Sequence, residues 1–419
     1  MSSSQIKAPK GTRDLVGVEG SWFSILEQTA RNVFGRYEFT ELRTPIFEQA
    51  ELFSRSLGAT SDVVEKEMFT FVDRGERTFS LRPEGTAGVV RHYIENSLGS
   101  QGGVHRFFYM GPMFRAERPQ AGRYRQFWQI GSEYFGASDA SADAETIAMI
   151  NTLLKEFGVT DFSIQINSIG CKNCRSIYRV ELLKYLESKK DILSEESIRR
   201  MTSNPLRVLD SKLDGPKLID APIMKAFLCA SCKTHDEDVH GFLKSLDIPF
   251  EENPKLVRGL DYYTKTVFEF VSSRLGAQSA VAAGGRYDEL VAELGGPATP
   301  AVGFALGMDR VVSIKMTSDH VQEPGKSRKC VVVPLLEAAG TLCVQVSHEL
   351  RKLGMSVSPV QTKKKLKNQL SQAVDNGAKW AILIGEDELK ANQLAVKNLE
   401  TREQTLIPRN QIKEFFKNE

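Results

Sequence analysis

No uninterrupted apolar run in this chain of 419 residues approaches the ~18–20 residues that a membrane-spanning helix needs. The first residues, Met1 to Gly11, are rich in Ser and Lys and lack an apolar stretch. That predicts no signal peptide and a cytoplasmic protein with no membrane partner. Cysteine is sparse at six, and four of the six form two Cys-x-x-Cys pairs. In a reducing compartment such pairs point to metal before disulfide. Histidine is equally sparse, and no Cys–His or Ser–His arrangement suggests a covalent nucleophile. Neither sign of charge dominates: 55 Lys and Arg stand against 53 Asp and Glu, a net +2, which excludes a polycation. The balance hides an asymmetry. From Lys326 onward there are 16 Lys/Arg and 10 Asp/Glu, a net +6, leaving 39 and 43, a net −4, for residues 1–325. A basic tail behind a mildly acidic body suggests a polyanionic partner. Internal repeats and low-complexity segments are absent, which excludes a solenoid.

What is present is a soluble, globular composition, 41% hydrophobic and 26% charged, over a length that implies two to three domains. The stretch from Ser21 to Phe34 reads as an amphipathic helix, followed by an extended segment, Glu38–Glu48, interrupted by Pro45. Phe69–Val72 and Thr78–Arg82 flank a turn marked by Gly75, a hairpin pattern, and a helix is expected near Gly85. Two strand-like runs, Arg106–Arg115 and Tyr124–Phe135, are joined by a polar loop; helix Ala140–Phe157 and strand Phe162–Asn167 follow. From Cys171 to about Leu246 the pattern is helical and charged, which predicts a helical insertion over residues 171–246. Strand character returns at Tyr262–Ser272 and Gln278–Ala283, and Ala301–Met316 reads as a glycine-spaced helix. After a polar linker at 317–329, short apolar strands alternate with helices, implying a small α/β domain with a largely parallel core.

The most informative residues lie on the two runs around 106–135. Side chains on a strand alternate faces, so Phe127, Gln129, Gly131 and Glu133 share one face, as do Tyr109, Gly111, Met113 and Arg115. A ring, an amide, a glycine and a carboxylate make a poor hydrophobic surface and a good ligand floor. The loop adds Arg118, Arg123 and Arg125, and guanidinium suits bidentate contact with phosphate. Leu81-Arg-Pro-Glu-Gly-Thr86 sets Glu84 and Thr86 where a strand meets a helix, beside exposed N–H groups. Leu256-Val-Arg258-Gly-Leu-Asp-Tyr-Tyr263 and Ala283-Gly-Gly-Arg-Tyr287 add a cation, an acid and several phenols. Arg310 ends the glycine-spaced stretch that starts at Gly303. Many arginines and polar groups on one sheet, with no activated nucleophile, point to electrostatic handling of phosphate.

Taken together and in order, these segments resemble the three motifs of the class II aminoacyl-tRNA synthetases, and specifically the histidyl-tRNA synthetase family. Phe39–Glu48 resembles motif 1, Phe114-Arg-Ala-Glu-Arg-Pro-Gln120 through Glu133 motif 2, and Ala301–Arg310 motif 3. Arg258-Gly-Leu-Asp-Tyr-Tyr263, Gly284-Gly-Arg-Tyr287 and Lys10-Gly-Thr-Arg-Asp14 match stretches of the histidine family. The resemblance implies an α+β fold: a six-stranded antiparallel catalytic sheet flanked by helices over residues 1–325, carrying the insertion. Residues 326–419 would form the anticodon-binding α/β domain. It implies activation of L-histidine by ATP with Mg²⁺, transfer to the 3′ end of tRNA(His), and a homodimer. Arg115, Arg258 and Arg310 would be catalytic, with Arg115 and Arg258 at the α-phosphate and Arg310 on the ATP phosphates. Arg123 would hold the γ-phosphate and Phe127 would stack on adenine. Glu84, Gly85, Thr86 and Gln129 would bind the amino-group side of histidine. Glu133 and Tyr263, with Tyr262 and Tyr287, would line the imidazole pocket. Arg118 and Gln120 would approach the acceptor end of the tRNA.

Two features stay open at this level. Cys171-Lys-Asn-Cys174 and Cys229-Ala-Ser-Cys232 bracket the insertion and could supply four thiolates to a structural Zn²⁺, with His235 and His240 as substitute ligands. The alternative is four free thiols, and many family members lack these cysteines. Lys363-Lys-Lys-Leu-Lys367 fits either an anticodon-arm contact or a solvated helix start. The rival function is a catalytically inactive regulatory or sensor relative. Such relatives typically lose the tail domain or the phosphate-binding arginines, whereas this chain keeps Arg115, Arg258, Arg310 and a basic tail.

Overall fold

The structure, a computed structural model, describes residues 6–417 apart from 59, 60, 62, 120, 121, 210, 212, 258, 259, 261, 279 and 318–327. The chain divides into two compact units, Met1–Val321 and Gln322–Glu419. Among the described residues no helix is long and apolar enough to cross a membrane.

In chain order the first unit has β1 (Thr40–Glu41), β2 (Phe47–Gln49), β3 (Thr70–Val72), β4 (Thr78–Leu81), β5 (His105–Phe114) and β6 (Gln126–Phe135). These are followed by β7 (Ser163–Ser168), β8 (Glu251–Glu252), β9 (Thr264–Val271), β10 (Ala280–Arg286) and β11 (Ala301–Gly307). The main sheet runs β1-β5-β6-β11-β10-β9-β7-β8, and the expected hairpin β3–β4 joins β2 in a separate small sheet. The expectation of a six-stranded antiparallel sheet is therefore corrected: the sheet is mixed and eight-stranded. Its six inner strands are mutually antiparallel. The additions are β1 and β8, which pair in parallel at the two edges. Each is two residues long, too short to show the alternation by which a strand is read from sequence.

A second correction concerns Ala301–Met316. Its first half is β11, and only Met308–Met316 is helical. The spacing Gly303 to Gly307 satisfies a helical i,i+4 repeat and two strand periods equally well. The neighbouring apolar residues settle it: Val302, Phe304 and Leu306 are buried on one face. On the other face Gly303, Ala305 and Gly307 lie opposite Glu133, Gly131 and Gln129 of β6.

The inner sheet is covered on both faces. On one, helix Gly17–Arg36 brings Leu26, Ala30, Val33 and Phe34, and helix Ala140–Phe157 brings Ile147, Ile150, Leu153 and Leu154, onto Phe108, Ile130, Phe268 and Phe304. The spacing of these residues is that of a single helical stripe. Gly158, at φ +82°, ends the second helix with the left-handed residue that best closes a last turn. On the other face Ala87, Val89, Val90 and Tyr93 of helix Thr86–Glu95 pack with Met113, Phe135 and Val267. The insertion has its own core, including Cys174, Tyr178, Leu182, Leu186, Val208 and Met224.

The second unit is a five-stranded sheet, β13-β12-β14-β15-β16, from β12 (Lys329–Pro334), β13 (Ser356–Val357), β14 (Trp380–Ile384), β15 (Gln393–Asn398) and β16 (Gln404–Pro408). Three strands are parallel as expected, but β15 and β16 form an antiparallel extension that the sequence reading did not contain. Cys330 and Cys343 are core residues, as their apolar surroundings suggest.

A side chain at Gly303 would occupy space already taken: a Cβ there would meet Glu133 Oε2 at 1.8 Å and the Ser132 carbonyl oxygen at 2.6 Å. Gly303→Ala should therefore destabilise the protein by roughly 1–3 kcal/mol, the usual range for overpacking. Denaturant unfolding at wild-type stability would show that the carboxylate yields freely.

Candidate active site

Glu84 stands where β4 gives way to helix Thr86–Glu95, and its carboxylate accepts hydrogen bonds from the N–H groups of Thr86 (2.6 Å) and Ala87 (2.8 Å). These are donors that a helix start leaves without an internal partner. Thr86 donates its hydroxyl to Glu133 Oε1 at 2.7 Å, and Tyr287 donates its own to Oε2 at 2.5 Å. Glu133 is wholly buried, and burial pushes its pKa up to about 8 against the two hydroxyl donors, with the Glu84 charge adding to the rise. Burial also raises Glu84, opposed by its N–H partners and by the Arg115 charge. The Tyr109 ring lies between Gly85 and Gly131, where a Cβ would come within 2.1 and 2.3 Å of it. Gly85 therefore serves by being small.

Above this layer is a cavity of about 220 Å³. Glu84, Thr86, Gln129, Tyr262 and Tyr263 line it together with Arg115, Arg123, Phe127 and Arg310. Arg115 donates from Nε to the Pro83 carbonyl oxygen at 3.0 Å, and its guanidinium lies 5.4 Å from the centre of the Phe127 ring. Arg123 pairs with Glu117 at 2.8 Å, and Arg310 donates from Nη1 to the Ala280 carbonyl oxygen at 2.7 Å. Burial lowers the Arg310 pKa, and the like charges of Arg123 and Arg115 lower it further while Glu117 opposes them. Three guanidiniums around one cavity, with Arg310 disfavoured by burial and by its cationic neighbours, form a site suited to an anion.

Most of the expected site residues thus meet around one cavity. Glu133 and Tyr287 lie beneath its floor, tied to it through Thr86. Arg118 is exposed and does not line the cavity. Arg258 and Gln120 lie outside the described residues. Sequence reasoning missed Glu117, Tyr124 and Asp309, which also line the cavity. Asp309 pairs with Arg13 at 2.6 Å and accepts the Trp128 N–H at 2.8 Å, and the Arg13 guanidinium sits 4.3 Å from the Tyr124 ring centre. The signal was present, since Arg13 lies in the matched stretch Lys10–Asp14 and Asp309 adjoins Arg310. Their contact across the chain was not readable.

Arg286, in the Gly-Gly-Arg-Tyr stretch, is structural. Fully buried, it pairs with Asp143 at 2.5 Å and donates to the carbonyl oxygens of Ala137 (2.8 Å) and Asp139 (3.1 Å), which fixes the position of Tyr287 beside it. His235 is not a substitute metal ligand, because its Nε2 lies 3.3 Å from Asp143 Oδ1. Nor is His240, which faces Asp236 and Glu252 at 3.8 and 3.5 Å. Their helix, Ala230–Ser245, carries both away from the sulfurs. The Sγ atoms of Cys171, Cys174, Cys229 and Cys232 do converge, all within 4.8 Å of one another.

A largely antiparallel sheet with arginines at the hairpin end of two long strands, beside a polar amino-acid-sized pocket, defines a class II aminoacyl-tRNA synthetase. The family model of histidyl-tRNA synthetase matches residues 11–311, and that of the anticodon binding domain matches 329–419. The chain is 45% identical to the histidine–tRNA ligase of Thermosipho melanesiensis over 97% of each chain. It is 46% identical to that of Aquifex aeolicus over 96% of this chain and 98% of the relative. The crystal structure of apo histidyl-tRNA synthetase from S. aureus superposes with a TM-score of 0.83 at 34% identity, covering 99% of this chain and 100% of the other. The chain belongs to the histidyl-tRNA synthetase family.

The raised pKa of Glu133 has a thermodynamic consequence. Between its ordinary 4.5 and about 8 the folded protein holds a proton that the unfolded chain gives up. Glu133 therefore makes stability fall as pH rises through that window. Glu133→Gln removes the titration, so its melting temperature relative to wild type should increase steadily from pH 5 to pH 8. A difference that does not change with pH would place the Glu133 pKa near that of an ordinary carboxylate.

Proposed function

We propose that the chain is a histidine–tRNA ligase. It activates L-histidine with ATP to histidyl-adenylate and pyrophosphate, then transfers the histidyl group to the 3′ end of tRNA(His) and releases AMP. The observation that carries this reading is the polarity of the cavity along β6. At the loop end stand three guanidiniums and Phe127, with Arg115 over its ring. Further along stand Glu84 and Gln129, whose Oε1 is buried without a hydrogen-bond partner among the described residues. An amino-acid zwitterion fits such a gradient in one direction, with its carboxylate toward the arginines and its ammonium toward Glu84, Thr86 and Gln129. The imidazole is assigned to the pocket of Glu133, Tyr262, Tyr263 and Tyr287: Tyr262 and Tyr263 line the cavity, and Glu133 and Tyr287 support its floor from beneath through Thr86. A phenol can donate to one ring nitrogen or accept from the other.

In the first step a histidine carboxylate oxygen attacks the α-phosphorus in line, and the bond from phosphorus to the pyrophosphate oxygen breaks. The attacking group is already ionised at neutral pH and needs no general base, so the rate comes from positioning and from neutralising charge. Arg115 and Arg258 are assigned to the α-phosphate, Arg123 to the γ-phosphate end and Arg310 to the phosphates between; Phe127 offers its ring to adenine. Mg²⁺ enters on ATP as the counter-ion of the phosphates, and Glu117 is the lining carboxylate set among the arginines to face it. An inactive sensor would have no use for this cluster.

The catalytic domain is assigned to 1–325 and the anticodon-binding domain to 326–419. In the latter the exposed Lys363, Lys365 and Lys367 at the start of helix Leu366–Asp375 suit a phosphate backbone. Arg118 and Gln120 in the motif 2 loop are assigned to the acceptor end, and the protein to the cytoplasm, where tRNA and ATP are. A homodimer is supported by Ile46, Phe47, Phe71 and Val72, all exposed, on and beside the small sheet next to motif 1. Apolar side chains grouped in this way are usually covered by a partner.

Three measurements test this reading. ATP–pyrophosphate exchange should depend on histidine and on none of the other standard amino acids. Arg258→Ala should lower that exchange by roughly 10²-fold or more, as expected for loss of a charge-stabilising group. Arg118→Ala and Gln120→Ala should instead lower aminoacylation with exchange close to wild type. Exchange driven by another amino acid would overturn the assignment, and intact exchange in Arg258→Ala would remove that residue from it. Light scattering should give a dimer that Phe71→Asp dissociates; a 46.7 kDa particle for the wild type would contradict the assembly.

A further inference from the structure

The four cysteines that bracket the insertion are brought together by a repeated local design. Cys171 caps helix Lys172–Ser188 and Cys174 lies in its first turn; Cys229 caps helix Ala230–Ser245 and Cys232 lies in its first turn. Each Cys-x-x-Cys pair therefore sits on a helix start, where free N–H groups and the positive end of the helix dipole favour thiolate. The Cys229 N–H points at Cys174 Sγ from 3.1 Å. All four sulfurs lie within 4.8 Å of one another, and Cys171 and Cys174 are separated by 3.6 Å. Zinc–sulfur bonds of about 2.3 Å in a tetrahedron set sulfur–sulfur edges of about 3.8 Å. None of the six cysteines is in a disulfide. Three of the four sulfur-bearing residues are at least partly buried and Cys229 is exposed, so an ion would have a route in.

We propose that these residues form a tetrathiolate site for one structural Zn²⁺ that closes the insertion at its base. The insertion has a small core of its own and leaves the main sheet through Gly170, whose carbonyl oxygen accepts the Lys265 N–H at 2.9 Å. One residue after Cys174, Arg175 donates to the Tyr263 carbonyl oxygen at 2.9 Å. Tyr263 lines the cavity, so the ion would hold the first and last helices of the insertion together and keep Arg175 against the pocket wall. The ion touches no substrate. Its work is to fix a junction that four unlinked thiols would leave to weak contacts, and it is independent of the assignment of the reaction.

The test uses the full-length protein purified without chelator from zinc-supplemented medium. Elemental analysis should give one zinc per chain. Titration with a mercurial reagent should release that zinc over the modification of four thiols, with the buried Cys330 and Cys343 reacting separately. Cys229→Ser, at the most exposed position, should retain its helical circular dichroism while its zinc content falls well below one and its melting temperature drops. In Co²⁺-substituted protein, sulfur-to-cobalt charge-transfer bands should appear and should weaken in that variant. Zinc-free protein with four reactive thiols or with disulfides, or iron in place of zinc, would overturn the proposal.

Discussion

One buried carboxylate fixes the arrangement of the site. Glu133 is fully enclosed, and an acid in that position is tolerated only where hydroxyls meet its oxygens and neighbouring chains leave it room. Those demands reach four separate parts of the chain. The helix that begins at Thr86 provides one donor, and Tyr287 provides the other. Gly303 on β11 leaves the space. The Arg286–Asp143 pair holds the turn from which Tyr287 reaches in; breaking a buried pair of this kind typically costs about 3–5 kcal/mol. The glycines and tyrosines that look scattered in the sequence are thus consequences of seating one acid inside a sheet.

The cationic end of the cavity follows the opposite rule. Its guanidiniums are held by the carbonyl oxygens of Pro83 and Ala280 and by Glu117. Burial first, then the like charges of Arg123 and Arg115, lower the Arg310 pKa, and an anion beside it would offset both. Such a cluster suits stabilisation of charge on a reacting phosphate. Glu133 lies on β6, while Arg115 follows its neighbour β5 and Arg310 follows its neighbour β11, so adjacent strands set the acid and the guanidiniums at fixed positions.

Much of this was legible in the residues. Alternation on β5 and β6 placed Phe127, Gln129 and Glu133 on one face, and the register, with Tyr109 opposite Gly131 and Gly111 opposite Gln129, bears that out. Helix Ala140–Phe157 has the ends expected of it because Gly158 marks its stop. The failures have physical causes. A four-residue glycine spacing is shared by helix and strand, so from sequence alone β11 reads as a helix. The two-residue edge strands carry no period. The contact of Arg13 with Asp309 spans 296 residues and leaves no local trace. That Glu133 lies beneath the floor depends on which side chains stand above it, and alternation reports only the face.

The central claim is that the pocket recognises an imidazole through hydrogen bonds to both of its nitrogens, on a floor that Glu133 holds from beneath through Thr86. The most direct measurement is ATP–pyrophosphate exchange with histidine compared against histidine methylated at one ring nitrogen or at the other. A site built from paired polar groups rejects a ligand that leaves one unsatisfied. Both methylated forms should therefore be activated very poorly, each losing on the order of 10²-fold or more in kcat/KM. If either is activated as well as histidine, the corresponding nitrogen has no partner in the pocket, and the account of the cavity as an imidazole site fails.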